Sequence, residues 1–187
     1  MERLLAACDL SGVVSVSGKL PAGAPEDACS RIARMVRKAG GRLVLDVQGS
    51  PLLSALEYRP ALVKMNDHEL ALTLPETAGG VEAGAEELLR RGAGAVLITC
   101  GAEPAFARDA DIAFRLHPPK IRALNPVGSG DASTAGLMLE WAKGNPFPEA
   151  LKTAMACGAA NALNLHCGLV RPQDVSELRL RVRLEVV

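Results

Sequence analysis

Asn125-Pro126-Val127-Gly128-Ser129-Gly130-Asp131-Ala132-Ser133-Thr134-Ala135-Gly136 joins a tight glycine loop to the start of a helix and sets a carboxylate at the junction. Glycines on either side of Ser129 let the backbone turn without a Cβ penalty and approach a ligand closely. The run from Ala132 to Lys143 predicts a helix. Unpaired amides and the positive end of the helix dipole make such a junction an anion site, for which phosphate is the natural ligand. Asp131 stands where it is either a plain N-terminal cap or a catalytic carboxylate, and the residues alone leave both readings open. Two phosphate motifs are excluded: no Gly-Lys-Ser/Thr tripeptide occurs, and the third glycine of a dinucleotide fingerprint is replaced by Ser133.

Upstream of this stretch the chain repeats a strand, loop, helix unit. Strands are predicted at 13–17, 43–47, 62–64 and 95–99, with short ones at 105–107 and 112–116; helices are predicted from Pro25 to Ala39, 51–56, 66–72 and 81–91. Downstream come helices over 131–143, 148–164 and 172–178, and a tail to Val187 whose period-two alternation predicts a strand. Strands that read as continuous apolar runs between helices predict an α/β protein, with a mostly parallel sheet covered by helices on both faces, in one domain spanning 1–187. Ligands of such sheets gather at the carboxyl ends of strands, which gives the loops after Ser17, Lys64, Thr99 and His117 a shared address.

Three of those loops carry polar residues with two readings each. Asn66 and Glu69 in Lys64-Met65-Asn66-Asp67-His68-Glu69 share a helix face, as a capping box or as ligands near a phosphate. Gly101 in Thr99-Cys100-Gly101-Ala102-Glu103 is a turn residue or lines a ligand. Lys19 in Ser17-Gly18-Lys19-Leu20-Pro21-Ala22-Gly23 meets an anionic substrate or faces solvent. Asn161, inside the last long helix, is either solvated or turned toward a ligand.

These motifs, in this order, resemble the ribokinase-like (PfkB) carbohydrate kinases, and Asn125-Pro126-Val127-Gly128-Ser129-Gly130-Asp131 is closest to their phosphosugar branch of tagatose-6-phosphate kinases and 1-phosphofructokinases. Pro126, where many members have Thr, leans toward tagatose-6-phosphate kinase. The resemblance implies Asp131 as catalytic base and Gly128, Ser129 and Gly130 as the anion hole for the transferring phosphate. It further implies Lys64, Thr99, Gly101 and Asn161 at the nucleotide, Asn66 and Glu69 organising magnesium through water, and Lys19 near the sugar. Met65 stands for the usual Pro and is expected to loosen a turn without removing a ligand; Pro104 replaces a final Gly. ATP and Mg2+ are the implied cofactors, and a phosphosugar is the implied partner. Hard-cation chemistry agrees, since magnesium keeps several waters and needs only one or two carboxylates besides substrate phosphates.

The resemblance covers only the C-terminal part of a typical member. The chain is therefore expected to lack the N-terminal strands of the sheet, a Gly-Gly-Lys-Gly-type sugar motif and the β lid that often forms the dimer. Without lid and sugar contacts, turnover by this truncated chain alone is expected to suffer, because phosphoryl transfer relies on positioning. A homodimer through exposed sheet edges is the assembly left open. A non-catalytic nucleotide-binding or scaffold module is the rival reading, and a dinucleotide-dependent oxidoreductase is disfavoured by Ser133.

Composition narrows the partners. Basic and acidic residues balance at 21 each and aromatics are 3%, which argues against nucleic acid; no apolar run is long enough for a membrane span. The start, Met1 to Asp9, has no basic segment followed by a sustained apolar one, so a cytoplasmic protein is expected. Five cysteines without a C-x-x-C pair speak against disulfides and zinc, and His68, His117 and His166 lack metal-ligand spacing. Arg179, Arg181 and Arg183 read as the solvated face of a strand.

Overall fold

The computed structural model describes residues 7–187; the first six residues of the stretch read above for a targeting signal lie outside them. The described residues include seven strands, β1 to β7 in chain order. The chain divides into two compact units, the first made of Met1–Ile98 with Arg108–Asp111, the second of Thr99–Ala107 with Ile112–Val187.

The first unit is a run of strand-helix crossovers. It holds β1 (Val13–Ser17), α1 (Ala28–Lys38), β2 (Arg42–Asp46), α2 (Ser50–Ala55) continued by a 3-10 turn at Leu56–Tyr58, β3 (Leu62–Asn66), α3 (Asp67–Thr73), α4 (Gly80–Arg90) and most of β4 (Ala95–Cys100). β1 pairs with β2 and β2 with β3, both parallel, in the register Val44↔Leu62 and Leu45↔Val63. Leu43, Val44, Leu45, Leu62, Val63 and Met65 are all buried, which is why these strands read as apolar; Lys64, which interrupts β3, is buried with them. α1 buries Ala28, Cys29, Ala33 and Val36 and ends on Arg37 and Lys38, cations that suit the negative end of its dipole.

Three expectations are corrected here. α1 begins at Ala28 and not at Pro25, because the Ala28 amide closes a turn on the Pro25 carbonyl at 3.0 Å. β3 runs two residues further than predicted, to Asn66. Met65 loosens no turn; its side chain is fully buried and extends the strand into the core.

Glu87 on α4 accepts hydrogen bonds from Arg90 Nε and Nη2 and from Arg91 Nε. Those from Arg90 and then Arg91 bring its carboxyl down from 4.5 to about 2. A depressed carboxylate contributes stability above its unfolded pKa and loses it as pH falls through the folded one. The melting-temperature gap between the wild type and Glu87→Gln is therefore expected to close as pH falls from 4.5 to about 2, as thermal melts across that range would show.

The second unit holds the end of β4, most of β5 (Glu103–Asp109), β6 (Ala113–His117), α5 (Ser129–Ala142), α6 (Phe147–Ala162), α7 (Pro172–Arg179) and β7 (Arg183–Val186). β6 and β7 are antiparallel, with Leu116 opposite Leu184. α5 and α6 approach closely because small residues meet between them. A Cβ on Gly136 would lie 2.7 Å from Cys157 Sγ, and one on Gly158 3.1 Å from the Ser129 carbonyl oxygen. Leu137, Leu151, Ala154 and Ala160 are fully buried. Arg179 ties α7 to α6, donating from Nε to Thr153 Oγ1 at 2.9 Å and from Nη2 to Glu149.

The predicted tail strand is shorter than its alternation suggested. Leu178 is buried as the end of α7 and Val182 by the turn that follows, where the Arg181 amide bonds to the Leu178 carbonyl, so pairing starts only at Arg183. Arg179 and Arg181 accordingly are not a solvated strand face; Arg181 donates to the Lys120 carbonyl. No helix among the described residues is long and apolar enough to cross a membrane.

Candidate active site

The glycine loop is a built turn. Gly128 has φ 81 and ψ 0, and the Ser129 amide donates to the Pro126 carbonyl at 3.1 Å, which makes Pro126–Ser129 a type II turn with glycine at its obligatory left-handed position. The Val127 amide donates to Asn125 Oδ1 at 3.0 Å and fixes the entry. α5 then starts at Ser129, earlier than the sequence suggested, with Gly128 as its N-cap. Asp131 is consequently the third helical residue, exposed, in the first turn and not at the cap. Its carboxylate stands at the positive end of a 14-residue helix.

Of the amides assigned to the anion hole, that of Ser129 is taken by Pro126, and the Ala132 amide bonds to the Gly128 carbonyl at 2.9 Å. The Gly128 and Gly130 amides donate to no backbone acceptor among the described residues. Asn161, assigned to the nucleotide, is fully buried. Its Nδ2 donates to the Val127 carbonyl at 2.8 Å and to Ser129 Oγ at 3.1 Å, and its Oδ1 accepts from the Gly168 amide at 2.8 Å. The solvated reading of Asn161 is thereby excluded.

Cys167 lies over the turn: a Cβ on Gly128 would meet its Sγ at 2.3 Å. Gly128→Ala is therefore expected to cost about 1–2 kcal/mol for the left-handed backbone, plus a packing penalty of about 1–3 kcal/mol. Urea denaturation checks the sum, and adding Cys167→Ala is expected to recover only the packing part.

In the first unit, Asn66 and Glu69 come together as a full capping box at the start of α3. The Glu69 amide donates to Asn66 Oδ1 at 2.8 Å and the Asn66 amide to Glu69 Oε2 at 2.9 Å. The box uses one oxygen of each side chain and leaves Glu69 Oε1 outside it. No group of three or more His, Cys, Asp or Glu suited to a metal ion occurs among the described residues. One carboxylate oxygen and water is a donor set that fits magnesium carried on phosphates and does not fit a metal held by protein ligands alone.

Lys64 ends on Asp46, Nζ to Oδ2 at 2.9 Å, with side chains only 5% and 9% exposed. The Asp46 carbonyl also accepts the Gly18 amide at 3.0 Å, so Asp46 fastens the turn that leads to exposed Lys19. Sequence reasoning passed over Asp46; the signal was a carboxylate closing an apolar strand whose parallel neighbour carries a lysine among its apolar residues. Thr99 is half-buried at the end of β4, and Gly101, with φ 62, forms with Ala102 the two-residue turn into β5. Burial, and then the Glu140 charge, raise the Cys157 thiol, which leaves it a packing residue and no nucleophile.

The first unit thus carries parallel strand-helix crossovers, and the second a glycine turn that opens a helix with a carboxylate in its first turn. Residues 1–174 match the pfkB family carbohydrate kinase family, and the chain belongs to it. It is 30% identical over 159 residues to the 1-phosphofructokinase of Bacillus subtilis (strain 168), covering 83% of this chain and 52% of that protein. The crystal structure of phosphofructokinase-2 from Escherichia coli in complex with potassium superimposes with a TM-score of 0.86 at 26% identity, over 96% of this chain and 59% of that one. A possible 1-phosphofructokinase from Thermotoga maritima, 18% identical, shares the fold with a TM-score of 0.84 over 100% of this chain and 58% of its own. The chain thus spans between half and three fifths of the length of these relatives.

Proposed function

We propose that this chain carries the phosphate-handling and catalytic-base part of an ATP-dependent kinase that phosphorylates a hydroxyl of a ketohexose phosphate, fructose or tagatose phosphate being the substrates to try first. The observation that carries this reading is the type II turn at Gly128 leading into α5 with Asp131 exposed in its first turn. Asp131 takes the proton of the acceptor hydroxyl as it attacks the terminal phosphoryl of ATP, and ADP leaves. The Gly128 and Gly130 amides, with the helix dipole behind them, stabilise charge on the phosphoryl in flight. Asn66 and Glu69 would hold the water shell of a magnesium ion, which when bound neutralises charge on the nucleotide phosphates. Thr99, Gly101 and Lys64 serve the nucleotide and Lys19 the sugar phosphate. The reading carries with it a cytoplasmic setting and a homodimer.

Calorimetric titration with magnesium-ATP, joined to a coupled ADP-release assay with tagatose 6-phosphate, fructose 1-phosphate and fructose 6-phosphate, tests it. Sugar-dependent release is the expected result. Binding without release would leave a nucleotide-binding module, and absence of binding would remove the anion site from this reading.

A further inference from the structure

We infer that Asn161 is a positioning residue that fixes the orientation of one peptide group, Val127–Gly128, and through it aims the Gly128 amide at the anion; the inference rests on the kinase reading only for what the anion is. In a type II turn the central peptide is the one whose flip gives a type I turn, and here that peptide joins Val127 to Gly128. Its carbonyl and its N–H are two ends of one trans-planar unit and point in opposite directions. Asn161 Nδ2 holds the carbonyl end at 2.8 Å, so the Gly128 N–H faces away from the Asn161 amide. The second Nδ2 proton goes to Ser129 Oγ at 3.1 Å, which places Asn161 contacts on both sides of Gly128.

The anchor itself is fixed by the segment after α6. Asn161 is fully buried, and its Oδ1 accepts the Gly168 amide at 2.8 Å. Asn125 makes a second tie, donating from Nδ2 to the Leu165 carbonyl at 2.9 Å while its Oδ1 accepts the Val127 amide. A third comes from the Leu124 and Asn125 amides on the Ala162 carbonyl, at 2.7 and 3.2 Å. A buried primary amide with both donors and its oxygen engaged has no cheap alternative orientation, so the turn inherits the rigidity of α6.

Asn161→Asp keeps the shape and removes the donor to the Val127 carbonyl. The test follows the amide resonances of Gly128 and Gly130 in the full chain while inorganic phosphate is added, with ADP release measured in parallel. In the wild type both amides are expected to respond. In Asn161→Asp the Gly128 response is expected to fall at least tenfold while Gly130 keeps its own, and kcat to fall at least tenfold with KM for sugar phosphate within about threefold. A wild-type Gly128 amide indifferent to phosphate, or a folded Asn161→Asp chain whose Gly128 responds normally, would overturn the inference. If Asn161→Asp does not fold, Asn125→Ala decides: a weakened Gly128 response supports the inference and an unchanged one overturns it. A wild type that shows the amide responses but no turnover would sink the kinase reading alone.

Discussion

Asp131→Asn is expected to lower sugar-dependent ADP release by about 10²–10⁴-fold, the usual contribution of a general base, and to leave the affinity for magnesium-ATP unchanged or improved. An amide cannot accept the hydroxyl proton, whereas removing a negative charge beside an anion site cannot weaken the hold on phosphate. The structure makes this clean to read. Because Gly128 is the N-cap and Asp131 the third residue of α5, the substitution removes no cap; it removes a favourable charge near the positive helix end, worth about 0.3–1 kcal/mol. Asp131 is exposed, so the substitution leaves the core packing in place. Steady-state kinetics, calorimetry and a thermal melt on the same preparation check the three parts. A loss below tenfold would remove Asp131 from the role of base, and a loss matched by unfolding would return it to a structural one.

Local chemistry was legible in the sequence and long-range chemistry was not. The glycine turn and the Asn66–Glu69 pair could be read because each is closed by bonds within a few residues, and their spacing is their signature. The start of α5 was misjudged because Gly128, left-handed, takes the cap and lets the helix begin at Ser129. The tail misled because a helix end followed by a tight turn buries Leu178 and Val182 in the same alternation as a strand. Asp46 as the partner of Lys64 and Val127 as a partner of Asn161 were invisible because their bonds span 18 and 34 residues, and only strand pairing and helix packing bring those positions together. The family resemblance supplied a role for Asn161 at the nucleotide, while the contacts seen are with the glycine loop and with Gly168 after α6.

Lys64→Met is expected to destabilise the fold by about 3–5 kcal/mol, because it takes the ammonium away from the Asp46 carboxylate, of whose side chain only 9% reaches solvent. The double variant Asp46→Leu, Lys64→Met is expected to recover most of that loss, since a buried ion pair replaced by packed apolar groups is often neutral. Urea denaturation of the two single variants and the double one gives the coupling, and an additive pair would show that the 2.9 Å contact carries little. The double variant also separates the two jobs that Lys64 has been given. If it folds as well as the wild type and binds magnesium-ATP as tightly, Lys64 serves the strand pair alone: it holds Asp46, whose carbonyl in turn holds the turn at Gly18. If it folds and the nucleotide affinity is lost, the ammonium does both, and Asp46 is the group that keeps it in place until phosphate arrives.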